Sequence, residues 1–190
     1  MYKGTSASAG IGIGKAVIVE EAELVITRQA VSDGEAEIQR FKGALEQTIK
    51  DTERLAEDLA VRVGEKEAEI MQGHMMLLSD PMLTGEIENS IKNDGVNSEF
   101  AIENVCNMYA DMFASMGDEL MQQRATDMRD IKTRMQRVLM GIQSVDISSL
   151  PAGSILVAKD LTPSMTAGIN PANVTGIVTE LGGRTSHSAI

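Results

Sequence analysis

From residue 32 to residue 143 apolar side chains recur at steps of three and four, and on either side that rhythm gives way to short apolar runs. Such a chain must bury the stripes of several helices against one another while its two ends form strands. Ile38, Phe41, Leu45, Ile49, Leu55 and Leu59 follow near-helical spacing. Ile102, Val105, Tyr109, Met112 and Met116 repeat it, as do Met128, Ile131, Met135, Val138 and Ile142. Short loops between such helices favour antiparallel neighbours, hence a bundle. The runs Ala16–Val19, Leu24–Ile26, Ser154–Ala158 and Val174–Thr179 read as strands, with a short helix near Ser164 to Ala167. The expected fold class is α+β/mixed. A helical bundle (32–143) is inserted into a small α/β unit made of 1–31 and 144–190.

Local signals place the helix ends. Ser32 and Glu35 have the spacing of a capping box. Gly64 interrupts the first long helix. The next runs from about Lys66 to Leu78 and stops near Asp80-Pro81, because proline disfavours helix at the residue before it. A short amphipathic piece, Leu83 to Ile91, ends at Asn93-Asp94-Gly95.

The charge balance removes several partner classes. A net charge of -11 disfavours nucleic acid and anionic membranes, and suits a basic protein partner. Cys106 is the one cysteine, so no internal disulfide or thiolate zinc site is available, and its helical flanks make it apolar filler. The start has no signal-peptide core and no apolar run approaches ~20 residues. These features together predict a cytoplasmic protein. Aromatic residues make up 3% and methionines number 13, so the core relies on flexible aliphatic filler.

Chemistry concentrates in Gly182–Ile190, after a strand pattern. Two glycines permit a tight turn, and Thr185 or Ser186 can cap a helix beginning near His187. An anion there would meet free backbone N–H groups, and Arg184 offers a planar cationic fork. A neutral imidazole at His187 is a competent nucleophile toward phosphorus. The plainer reading is a capped helix with an incidental histidine. Metal binding finds little support, with His74 the one other histidine, and no Gly-x-Ser-x-Gly elbow suggests a hydrolase. Gly10-Ile11-Gly12-Ile13-Gly14 fails as a dinucleotide motif: Lys15 stands where the third glycine would be, and the segment precedes a strand.

Gly182–Ile190 resembles the active-site segment of the phosphoenolpyruvate-using family, which includes Enzyme I of the bacterial sugar phosphotransferase system, phosphoenolpyruvate synthase and pyruvate phosphate dikinase. Four further stretches are similar to Enzyme I in particular: Gly4–Ala16, Gly73–Leu78, Arg124–Ile131 and Asp160–Ser164. The resemblance spans the chain, with Ala9 standing where the family often has proline. It implies that His187 is phosphorylated through Nε2, and that Arg184, Thr185 and Ser186 hold the phosphoryl oxygens. Thr166 then supplies a hydroxyl that orients the histidine ring.

It also implies transfer from phosphoenolpyruvate to the carrier protein HPr, docked on Glu65, Ile70, His74, Met76 and Leu77. Pro81 and Met82 replace acidic residues that family members can carry just after this surface. Arg124 and Arg129 read equally as helix-surface charges. Family members continue past Ile190 into a barrel that binds phosphoenolpyruvate, uses Mg²⁺ and dimerises. The resemblance therefore implies an amino-terminal fragment, monomeric where the full-length enzyme is a homodimer. The magnesium carboxylates would lie outside this chain. Two alternatives stay open: a swivelling phosphohistidine domain of a synthase or dikinase, and a catalytically inert HPr-binding module.

Overall fold

Asp33 starts the first long helix. Its side chain accepts a hydrogen bond from the Ala36 N–H at 3.0 Å, so the expected Ser32–Glu35 capping box gives way to a simple aspartate cap one residue later. The computed structural model describes residues 4–181. Helix α1 (Gly34–Arg62) is followed by α2 (Glu65–Leu78), α3 (Pro81–Asp94), α4 (Ser98–Ser115) and α5 (Glu119–Met140). Gly64 separates α1 from α2 with φ 152°, a value that side chains rarely adopt. Asp80 caps α3, and Gly95, in the left-handed region, ends it.

The sheet is formed from distant parts of the chain. Strands β1 (Lys15–Val19), β2 (Ser154–Ala158) and β3 (Val174–Thr179) run parallel in the order β1-β2-β3. Parallel strands need a long crossover. Between β1 and β2 that crossover is the whole bundle, and between β2 and β3 it contains the short helix α6 (Pro163–Gly168). The architecture is thus a helical bundle inserted into a small α/β unit. The glycine-rich start packs closely on the sheet: a Cβ on Gly14 would collide with the Gly153 carbonyl oxygen, and one on Gly12 with that of Thr175.

Two apolar cores result. The bundle core joins Ile38, Phe41, Leu83, Ile87, Ile102, Met128, Ile131 and Met135, among others. The sheet core holds Val19, Ile147, Leu150, Leu156, Ala158, Leu161 and Ile169. A third, small cluster of Leu59, Met71 and Ala167 joins α1, α2 and α6. Cys106 is wholly buried in the bundle, and burial pushes its thiol up to about 12.

Two further expectations fail. Leu24–Ile26 forms no strand. Among the described residues this connector pairs with no strand and runs across α5, held where the buried Arg137 donates to the Ala22 carbonyl at 2.9 Å and pairs with Glu21 at 3.1 Å. Met112 of α4 and Met116, just past its end, follow the predicted stripe but lie beyond the last buried residue, Ala110, so they are exposed.

Candidate functional site

Strands β2 and β3 finish side by side, and pairing continues beyond them. The Glu180 N–H donates to the Ala158 carbonyl at 3.1 Å and that of Leu181 to Lys159 at 2.8 Å. The chain is thereby fixed at the carboxyl edge of the sheet just before Gly182, the edge at which parallel α/β sheets carry their ligands. Arg184, Thr185, Ser186 and His187 lie outside the described residues.

Helix α6 leaves that same edge of β2. Thr162 caps it, accepting from the Met165 N–H at 3.3 Å. Half-buried Thr166 turns its hydroxyl back to the Thr162 carbonyl at 3.1 Å. The hydroxyl is thus carried on one short helix whose position fixes where it is presented.

The bundle holds both ends of α6. Asp130 of α5 is 4% exposed and accepts the Ser164 N–H and the Ser164 hydroxyl, each at 2.8 Å. Arg62, the last residue of α1, donates to the carbonyls of Ala167 at 3.1 Å, Gly168 at 3.3 Å and Ile169 at 2.7 Å. Behind Asp130 sits His74, fully buried, with Nε2 3.2 Å from Asp127 Oδ1 and Nδ1 3.9 Å from Asp130 Oδ2. The guanidinium of Arg124 lies over Gly73 and 3.8 Å from Asp127. Arg134 lines the cleft between α1, α5 and α6, a cavity of about 800 Å³, where burial pulls its pKa down against the charges of Asp130 and Asp51.

The partner-facing residues expected on α2 separate into groups. Glu65, Ile70 and Met76 are exposed, and Leu77 is half-buried against the bundle core. His74 does not face outward, which corrects the expectation for it. It follows Met71 by three positions and precedes Leu78 by four, so it shares their buried face. That spacing was readable in the sequence. Asp127, Asp130, Arg134 and Arg137 also follow three- and four-residue steps, a charged stripe beside the apolar one on α5. This stripe is the signal that would have pointed to Asp130, though a charged stripe on a helix ordinarily faces solvent. Arg129 is exposed, 3.8 Å from Asp111, a surface charge as its plainer reading had it.

Comparison with known proteins places this geometry. Residues 3–124 match the family described as PEP-utilising enzyme, N-terminal, and residues 150–190 match PEP-utilising enzyme, mobile domain. The chain belongs to the PEP-utilising enzymes. Phosphoenolpyruvate-protein phosphotransferase of Bacillus subtilis (strain 168) is 42% identical over 188 residues, 99% of this chain and 33% of the relative. The protein of the same name from Enterococcus faecalis (strain ATCC 700802 / V583) is 39% identical over 100% of this chain and 33% of its own length. A solution structure of Enzyme I (nEIt) superposes with a TM-score of 0.87 at 39% identity, covering 100% of this chain and 77% of that one. The N-terminal domain of Enzyme 1 - Nitrogen gives 0.67 at 26% identity, over 96% and 75%.

The chain spans about a third of the length of the curated relatives it matches. For the magnesium ion used in this family, the described residues offer no fit: no group of three or more His, Cys, Asp or Glu side chains among them could hold a metal. No described helix is long and apolar enough to cross a membrane.

Proposed function

We propose that this chain carries a phosphoryl group on His187 and exchanges it with the carrier protein HPr in the cytoplasm, as the amino-terminal part of a phosphoenolpyruvate-protein phosphotransferase. The match of residues 150–190 to the mobile domain of PEP-utilising enzymes carries this reading, because it includes the whole Gly182–Ile190 motif. The pairing of Leu181 with Lys159 supports it, because it holds the last described residue before the motif at the carboxyl edge of the sheet, the edge from which the chain leaves β2 toward α6.

In the forward direction His187 Nε2 attacks the phosphorus of phosphoenolpyruvate and the bond to the enolate oxygen breaks. The enolpyruvate released takes up a proton at carbon and becomes pyruvate. An imidazole nitrogen of HPr then attacks the same phosphorus and frees His187. Such transfer depends on alignment and on stabilising spread negative charge. Arg184 would pair with the phosphoryl oxygens, Thr185 and Ser186 would donate to them, and Thr166 would orient the ring. The phosphoenolpyruvate step belongs to the full-length protein. On the α2 face, exposed Glu65, Ile70 and Met76 with half-buried Leu77 would receive HPr. The net charge of -11 favours a basic partner surface there.

Incubating the chain with phospho-HPr tests the reading. Acid-labile phosphate should appear on His187 and vanish in His187→Ala. Label persisting in that variant would refute the site. HPr binding without any label would leave a docking module alone.

A further inference from the structure

We infer that Arg62 and Asp130 are positioning residues, a two-ended clamp through which the helical bundle sets the place of α6 and therefore of the Thr166 hydroxyl. The inference rests on the reading that Thr166 serves phosphoryl transfer at His187.

The geometry of the junction points to it. The Thr166 side chain bonds to its own helix, so the hydroxyl goes where α6 goes. Five hydrogen bonds hold α6 to the bundle: two into the Asp130 carboxylate at the amino end and three from the Arg62 guanidinium at the carboxyl end. The apolar seam between them is small, with Ala167 set against Leu59 and Met71. A seam that thin resists separation but tolerates sliding, because apolar contact is non-directional. Charged hydrogen bonds are directional, and the planar fork of an arginine fixes angle as well as distance. With one anchor at each end, α6 can neither tilt nor slide without breaking bonds.

The partners are charged where the helix termini need them. An acceptor meets the free N–H at the start, and donors meet the last carbonyls at the end. His74 Nδ1 lies 3.9 Å behind Asp130, beyond hydrogen-bond distance. The two anchors themselves stand on the long helices α1 and α5.

Two variants open it without emptying a core. Arg62→Gln removes the fork, and Ser164→Ala removes one Asp130 bond while leaving the carboxylate and its neighbours in α5. Spin labels at Glu46→Cys on α1 and Ala172→Cys ahead of β3 report the distance between the two units, since the native Cys106 is buried and will not react. The parent chain should give one narrow distance distribution and both variants broader ones, with the thermal midpoint of the bundle's helical signal retained. Exchange with phospho-HPr should fall about tenfold or more in kcat in Arg62→Gln, while KM changes less than about twofold because docking on α2 is untouched. Narrow distributions in both variants would overturn the clamp. Broadened distributions with an unchanged kcat would overturn its positioning role. A parent chain that takes no label from phospho-HPr would refute the phosphoryl-transfer reading instead, and the distances would still decide whether the clamp exists.

Discussion

The bundle closes its core on itself, whereas among the described residues the sheet buries only one of its faces. Helices α1, α3, α4 and α5 surround Phe41, Ile87, Ile91, Ile102, Met128, Ile131 and Met135, all at most 1% exposed. On the sheet, Val17, Val19, Leu156 and Ala158 turn to the inner side. The row Ile18, Val157 and Val178 crosses the other side in register, with Ile18 68% and Val178 53% exposed. One unit has the apolar burial to stand alone. The other is joined to the bundle through Leu59, Met71 and the two ends of α6. The difference shows how a fold can hold a short helix such as α6 at a fixed place without a large shared core.

The sharpest way to break this contrast is Phe41→Ala. Emptying the centre of the bundle should cost about 3–5 kcal/mol and lower the urea midpoint of both units together, if the sheet depends on the bundle. Sheet amides that keep their exchange protection in an unfolded bundle would reverse the dependence. Leu156→Ala asks the converse question. It should cost about 2–5 kcal/mol within the sheet unit alone. Helical circular dichroism and bundle amide protection should then persist while β1 to β3 lose theirs. A single shared transition would show the two units to be one cooperative body.

A smaller change addresses α5, the helix shared by the bundle core and the junction. Asp118 caps it, accepting from the Met121 N–H at 3.1 Å. Asp118→Ala should cost about 1 kcal/mol, read as a lower urea midpoint for the bundle. Because the frayed end lies far along α5 from Asp130, the distance between the bundle and the sheet should stay as it is.

Legibility in the sequence follows the same division. The bundle could be read because its helices are long and amphipathic, and because Gly64, Pro81 and Gly95 mark their ends in ways that backbone sterics dictate. Strands β2 and β3 were found for a related reason, as short apolar runs bounded by turn residues. Leu24–Ile26 looks no different locally from β1. What decides it is that no described strand lies beside it to pair with, and that is a tertiary fact. The candidate site divides likewise. The Gly182–Ile190 motif carries its chemistry in adjacent residues, so spacing alone exposes it. The contacts that place α6 join residue 62 to 167–169 and residue 130 to 164. Nothing local in Arg62 or Asp130 signals a partner that far along the chain. His74 shows the remaining gap: its period put it on the buried face, but its polarity suggested the surface, and Asp127 resolves the conflict by satisfying Nε2 inside.

The smallest expected effect concerns pH, and it tests whether the bundle's self-sufficiency includes its charges. Glu103 of α4 is partly buried, which by itself would raise its pKa. Hydrogen bonds from Gln136, Asn107 and Lys132, with the Lys132 charge, outweigh burial and hold it below its ordinary 4.5. A carboxyl depressed in the folded state binds its proton more readily in the unfolded chain. Its stabilisation is therefore fully present above pH 4.5 and is lost as pH falls through the lower folded value. Glu103→Gln should destabilise the bundle modestly at pH 7, where Lys132 loses its counter-charge, and should flatten the fall in the urea midpoint below pH 4.5. Glu99, one turn earlier and paired with Arg40, is depressed as well, so part of the acid sensitivity should persist in the variant. An acid limb identical in variant and parent would mean that Glu103 contributes nothing, and that the bundle's acid response lies with its other depressed carboxylates, Glu99 beside Arg40 and Glu46 beside Lys50.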